Sequence, residues 1–134
     1  MRVYECVSFI MQNGPKVLLE KRSEHKETDA GLTTIPGGHI EIGETQTQAL
    51  FRELDEELNV VPTQYDYLCS LYHPTKELQL IHYFVIRDWK GEILPQEAEE
   101  VLWHTLETAQ VDIASDRIAL NEVARISHHL TDQY

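Results

Sequence analysis

Apolar residues come in short alternating or continuous runs along most of this chain and switch to a helical spacing only twice. Residues 3–11 and 17–21 are apolar segments of strand length, separated by Asn13-Gly14-Pro15, a turn-forming triplet. They predict two strands, plausibly an antiparallel pair. Residues 22–31 are rich in Lys, Glu, His and Asp and predict an exposed loop. Pro36-Gly37-Gly38 marks backbone that needs either unusual dihedrals or close approach of another group. Residues 66–72 and 78–88, rich in Tyr, Leu, Ile, Val and Phe, predict two long strands joined at His73-Pro74-Thr75-Lys76. A turn and short strand are expected at 89–93, and a last strand at 101–106.

The spacing changes to a helical one over about 45–58. Thr45 is a candidate N-cap, and Gln48 three positions later completes a capping box. At 3.6 residues per turn Leu50, Phe51, Leu54 and Leu58 share one stripe, and Glu53, Glu56 and Glu57 share the stripe beside it. Ala49 falls on the acidic stripe, where its small side chain leaves room for close approach. A second helix is expected over 115–129, with Ile118, Leu120, Val123, Ala124 and Ile126 as its apolar positions. Many strands and only two helices predict an α+β or layered α/β/α domain spanning residues 1–134.

Composition narrows the function classes. An apolar fraction of 42% over 134 residues suits one folded domain. The formal net charge of −12 opposes non-specific binding to nucleic acid, whose phosphates demand basic neutralisation. No apolar run is long enough to span a membrane and no leader is recognisable at Met1-Arg2-Val3-Tyr4-Glu5, so a cytoplasmic protein is the expectation. Cys6 and Cys69 lie in apolar segments without metal-ligand spacing and are expected to be buried thiols. Tyrosines at 64–72 and at 83 leave monomer and homodimer both open.

The acidic stripe carries the chemistry. Carboxylates at i, i+3 and i+4 repel one another, and they lie in the half of the helix where the dipole disfavours anions. A solvated acidic face is one account. A hard divalent cation is the other, since Mg²⁺ and Mn²⁺ favour oxygen ligands. A cation would also invert the local potential, so that an acidic site accepts phosphate. Arg52 lies one turn before Glu56 and can fix its geometry, and Gly37 and Gly38 can offer bare carbonyls.

Gly38, Glu44 and the run Arg52-Glu53-Leu54-Asp55-Glu56-Glu57-Leu58-Asn59-Val60 resemble the Nudix box in identity and separation. The departure is Asn59, where the family usually has Gly. Asn is the residue that best replaces Gly in the left-handed conformation common after a helix. The resemblance implies an α/β/α sandwich with a mixed central sheet and a loop-helix-loop catalytic motif. It also implies cleavage of a diphosphate linkage in a nucleotide-type substrate with Mg²⁺, or Mn²⁺, as cofactor. It implies Glu53, Glu56 and Glu57 as metal ligands, a carbonyl of Gly37 or Gly38 as a further ligand, and a structural pairing of Glu44 with Arg52. A carboxylate before the last strand is expected to join them: Glu97, with Glu100 second. Glu53 or Glu97 is the candidate base.

Other assignments stay open between function and ordinary structure. Lys21 and Arg22 resemble a phosphate-binding pair and also read as a cationic loop edge. His39 follows the glycine pair and is a candidate phosphate contact. Asp116 is a candidate base-binding residue or a first-turn helix Asp. Tyr4, Phe9, Leu32, Tyr83 and Trp103 are candidates for a base-stacking wall and equally for the core. Three functions follow: a nucleoside triphosphate diphosphohydrolase releasing pyrophosphate; a hydrolase of nucleotide sugars, ADP-ribose or dinucleoside polyphosphates; and a non-catalytic nucleotide-sensing or protein-binding module.

Overall fold

The computed structural model describes residues 1–96, 98 and 100–131. Strand β1 (Val3–Asn13) turns at Gly14-Pro15 into β2 (Lys16–Lys21), with which it pairs antiparallel. Two short strands follow, β3 (Thr33–Thr34) on β2 and β4 (Gly37–His39) on β1. Helix α1 (Gln46–Leu58) leads into the hairpin of β5 (Val61–Pro74) and β6 (Leu78–Lys90). Strand β6 lies parallel to β1, and β7 (Glu100–Thr105) pairs antiparallel with β2. Helix α2 (Ala114–Thr131) ends the fold. The sheet runs β3-β2-β1-β6-β5, with β4 against β1 and β7 against β2.

Alternation along β1 and β6 sends successive residues to opposite faces, which is why the sheet is covered on both. Val7, Phe9, Met11, Phe84 and Ile86 meet Leu50, Leu54 and Leu58 of α1. Cys6, Ile10, Ile81, Tyr83 and Val85 meet Ala119, Leu120 and Val123 of α2. The result is the expected α+β sandwich with a mixed sheet.

Several expectations need adjustment. Ala49 is buried in the α1 core and not on an open acidic face. Ile118 is exposed, and Ala119 takes the buried position in its place. Trp89 and Lys90 complete β6, and residues 92–95 form no strand. The hairpin strand β5 begins at Val61, five residues before the expected 66. Its start reads as loop because Pro62 lacks an N–H, yet β5 is an edge strand and its register shifts at Pro62/Gln64, where a proline is tolerated. Cys6 is buried and Cys69 partly so, both as free thiols.

Candidate active site

Close approach explains the glycine pair. Gly37 and Gly38 form β4 opposite Ser8 and Val7, and neither has a positive φ. A Cβ on Gly37 would lie 2.1 Å from the Val7 carbonyl oxygen, and one on Gly38 would lie 2.3 Å from the Glu53 carboxyl carbon. The backbone of β4 is therefore the surface against which Glu53 rests, and Glu53 is 6% exposed.

The helix carrying Glu53 is fixed at both ends. Thr45 Oγ1 accepts from the Gln48 N–H at 3.1 Å, and Gln48 Oε1 accepts from the Thr45 N–H at 2.9 Å. Asn59 closes the helix in the left-handed region at φ 62°, donating to Asp55 O at 3.0 Å. Next, the N–H groups of Leu94 and Gln96 donate to the carbonyls of Leu58 and Glu57 at 3.0 and 3.1 Å. These bonds satisfy the helix end and tie the segment preceding Glu97 to α1. Glu97 itself lies outside the described residues; Glu100, the second choice, is exposed at the start of β7.

Arg52 organises the acidic face. Its Nε and Nη2 donate to the two Glu44 oxygens at 2.6 and 2.8 Å, a bidentate fork. Nη2 also donates to His39 O at 2.9 Å, and Nη1 donates to Glu53 Oε1 at 2.8 Å and Glu56 Oε2 at 3.2 Å. The Arg52 hydrogen bonds, aided by the Glu41 N–H, lower the Glu44 carboxyl to about 2, and Glu44 in turn raises the guanidinium further. Glu53, Glu56 and Glu57 all line a cleft of about 320 Å³ together with Gly37 and Gly38. Among the described residues no three His, Cys, Asp or Glu side chains already converge on one cation position. The donor set nonetheless fits a hard cation: carboxylate and peptide oxygens gathered on one wall, with no side chain on Gly38 to separate them.

The same cleft is also lined by Asp116, Ile35, Ile113, Ile81, Gln79 and His73. Asp116 is 1% exposed. Although it sits in the first turn of α2, its Oδ2 accepts from the Ile35 N–H at 2.9 Å and its Oδ1 from the Tyr83 hydroxyl at 2.7 Å. Burial raises its carboxyl to about 6, against the opposing pull of those two donors.

Arg22 and His39 line the cleft. Lys21, one position from Arg22 in an alternating strand, is not among the lining residues; Glu20 is. His39 Nε2 lies 2.5 Å from Glu77 Oε2. None of the five wall candidates lines the cleft: Phe9 and Tyr83 are core, Tyr4 and Leu32 are partly buried, and Trp103 stacks on Trp89 at 6.1 Å. Residues that sequence reasoning passed over are Glu20, Thr28, Asp29, Thr34, His73 and Gln79. Period-two alternation from Arg22 back to Glu20 was a usable signal for the first. The others belong to loop and strand ends that only tertiary structure brings together.

This architecture, with a carboxylate helix following a glycine strand, is that of a Nudix hydrolase, and comparison with known proteins agrees. The NUDIX domain family matches residues 4–123, so the chain belongs to the Nudix family. It is 32% identical over 124 residues to the CTP pyrophosphohydrolase of Escherichia coli, covering 91% of each chain. It is 32% identical over 112 residues to the 8-oxo-dGTP diphosphatase of Haemophilus influenzae, covering 77% of this chain and 78% of that one. The solution structure of the E. coli ORF135 protein superimposes with a TM-score of 0.81 at 29% identity, covering 99% of this chain and 96% of the other. Within the family the chain resembles the MutT-type, nucleoside-triphosphate-cleaving members, and its general activity is hydrolysis of a diphosphate linkage in a nucleotide-related substrate. Among the described residues no helix is long and apolar enough to cross a membrane.

Proposed function

We propose that this protein hydrolyses a nucleoside triphosphate, or a modified one, to the monophosphate and pyrophosphate with the aid of Mg²⁺ or Mn²⁺. The observation that carries this reading is the joining of two unlike groups in one cleft: the Glu53, Glu56 and Glu57 carboxylates and the buried Asp116. The similarity to a CTP pyrophosphohydrolase and an 8-oxo-dGTP diphosphatase supports the triphosphate as substrate class.

Glu53, Glu56 and Glu57, a carbonyl of Gly37 or Gly38, and Glu97 would hold the cation. When bound, it neutralises phosphate oxygens and acidifies the attacking water. Arg52 acts from behind. Its fork is anchored on Glu44, so the Nη1 edge holds Glu53 and Glu56 at a fixed place along the wall. Glu53 or Glu97 accepts the proton of the attacking water. The water oxygen bonds to one phosphorus of the diphosphate bridge, the bridging P–O bond breaks, and the phosphate on its other side leaves with the electron pair. Arg22, through its planar fork, and His39 neutralise the outer phosphates. Asp116 accepts a hydrogen bond from a donor on the base edge.

The test is a panel of NTPs, oxidised dNTPs, nucleotide sugars, ADP-ribose and dinucleoside polyphosphates with products identified, repeated with Glu57→Gln. Pyrophosphate release that the variant loses supports the proposal; equal rates in wild type and variant refute it. Two monophosphorylated products would identify a sugar-linked diphosphate instead, and tight binding without turnover a sensing module.

A further inference from the structure

The polar loop between β2 and β3 is a closed ring. The Arg22 N–H donates to Leu32 O at 2.8 Å, Gly31 N–H to Ser23 O at 3.4 Å, Leu32 N–H to Asp29 O at 3.2 Å and Lys26 N–H to Ser23 O at 3.2 Å. Arg22 closes it from within, its Nε donating to Thr28 O at 3.1 Å. Asp29, the residue after Thr28, holds φ at 53°, a left-handed conformation that costs a side-chain-bearing residue energy. A strained residue persists where its surroundings hold it, and here the holder comes from another element. His73, near the end of β5, sets its Nε2 3.0 Å from Asp29 Oδ2. The pair is shielded, with side chains 11% and 18% exposed, and both residues line the cleft.

The order of contacts is thus His73 to Asp29, Asp29 to the adjacent Thr28, and Thr28 O to the guanidinium of Arg22. We propose that His73 and Asp29 are positioning residues that hold Arg22 in its phosphate-facing place by strapping loop 22–32 to the end of β5. The inference rests on the reading of Arg22 as a phosphate-binding residue. The bond to Thr28 uses Nε and so orients the plane of the fork; Nη1 lies 3.6 Å from Glu20, and the Nη groups are the part a phosphate meets. Cutting the strap releases the loop without touching the carboxylate wall. Binding of the triphosphate therefore weakens while the chemical step is preserved.

Two variants cut the strap from opposite sides. His73→Phe keeps a ring of similar size and loses the donor. Asp29→Gly removes the carboxylate and relieves the backbone, since glycine adopts positive φ without strain. Each is expected to raise KM for the preferred triphosphate about tenfold with kcat within about twofold, the pattern of lost uniform binding. The double variant is expected to be no worse than either single one, because the two residues act through one bond. His73→Gln, which retains a donor, should restore part of the loss. Independently of activity, amide exchange at Gly31 and Leu32 should speed up in both single variants with thermal unfolding of the rest unchanged. Arg22→Gln separates the two readings. If it leaves KM unchanged, the phosphate role of Arg22 fails. If it raises KM while His73→Phe and Asp29→Gly leave KM and loop exchange unchanged, the strap alone is overturned. Additive effects of the two strap variants would also overturn it.

Discussion

Asp116→Asn should make this protein more stable at neutral pH and worse at its task. Asp116 is 1% exposed, and burial raises its carboxyl from 3.8 to about 6. The sign follows from proton counting. Between those two values the folded state holds a proton that the unfolded chain has released, so stability falls as pH rises through the window. Above pH 6 the whole cost is present, about 3 kcal/mol for a shift of that size, at 1.36 kcal/mol per unit. Asn has nearly the same volume and never ionises. Its Oδ1 can accept from the Ile35 N–H and its Nδ2 can donate to the Tyr83 oxygen, while Tyr83 passes its own proton to Ser115, 2.9 Å away. No buried polar atom is orphaned by the exchange. Urea unfolding of both proteins should be followed from pH 4 to pH 8. The variant is expected to match wild type near pH 4 and to exceed it by about 2 kcal/mol at pH 8, since relaxation recovers part of the cost. Every other carboxylate titrates in both proteins, so the difference isolates Asp116. Its kcat/KM should fall about tenfold, or 1.4 kcal/mol, for a substrate whose base donates to the carboxylate. Parallel stability profiles, or a variant less stable at pH 8, would refute the reasoning.

Three further variants test the carboxylate wall and the helix that carries it. Gly38→Ala sets a Cβ 2.3 Å from the Glu53 carboxyl, so Glu53 must move; a stability loss of about 1–3 kcal/mol by thermal unfolding and a fall of at least about tenfold in kcat are expected. Arg52→Lys keeps the charge and loses the fork on Glu44, and activity should fall about 10- to 100-fold. The same variant tests the lowered Glu44 carboxyl: its contribution is present above pH 4.5 and lost as pH falls toward 2, so acid unfolding should move to higher pH in Arg52→Lys, as followed by circular dichroism. Thr45→Ala removes the N-cap and should cost about 1 kcal/mol in urea unfolding with kcat unchanged.

Helix α1 was legible residue by residue because its determinants are local. The capping box, the apolar stripe and the pairing of Arg52 with Glu44 all follow from spacing within one turn or one loop, and Asn59 adopts the left-handed conformation its position demands. The long strands were legible from their apolar runs. The start of β5 was not, since exposed Val61, Thr63, Gln64 and Tyr65 on an edge strand carry no continuous apolar signal. The part of the cleft around Asp116 was least legible. Asp116 stood out in the sequence only as a candidate, and its partners Ile35 and Tyr83 are separated from it by 81 and 33 residues, while the Asp29–His73 pair spans 44. Such contacts depend on how β1, β6 and α2 stack, and no periodicity encodes them.

The acidity of α1 also takes on a different meaning once Arg52 is placed. Repulsion among Glu53, Glu56 and Glu57 looked in the sequence like a demand for a bound cation. In the fold one guanidinium already lies against two of the three, Glu53 and Glu56, while its other edge is neutralised by Glu44. Repulsion is therefore a weaker argument for metal than the sequence suggests, because Arg52 offsets part of it, although one positive charge does not balance Glu44, Glu53, Glu56 and Glu57 together. What Arg52 does not supply is a Lewis acid, since a guanidinium cannot acidify water by coordinating it. The argument for a divalent ion rests on the diphosphate chemistry of the family and on the carboxylate and carbonyl oxygens of Glu53, Glu56, Glu57, Gly37 and Gly38 along one part of the cleft. It follows that chelation should abolish turnover while leaving the fold nearly as stable as before, with unfolding midpoints in excess EDTA and in Mg²⁺ without nucleotide differing little. A large loss of stability on chelation would mean that Arg52 is not the counter-charge that holds the wall together.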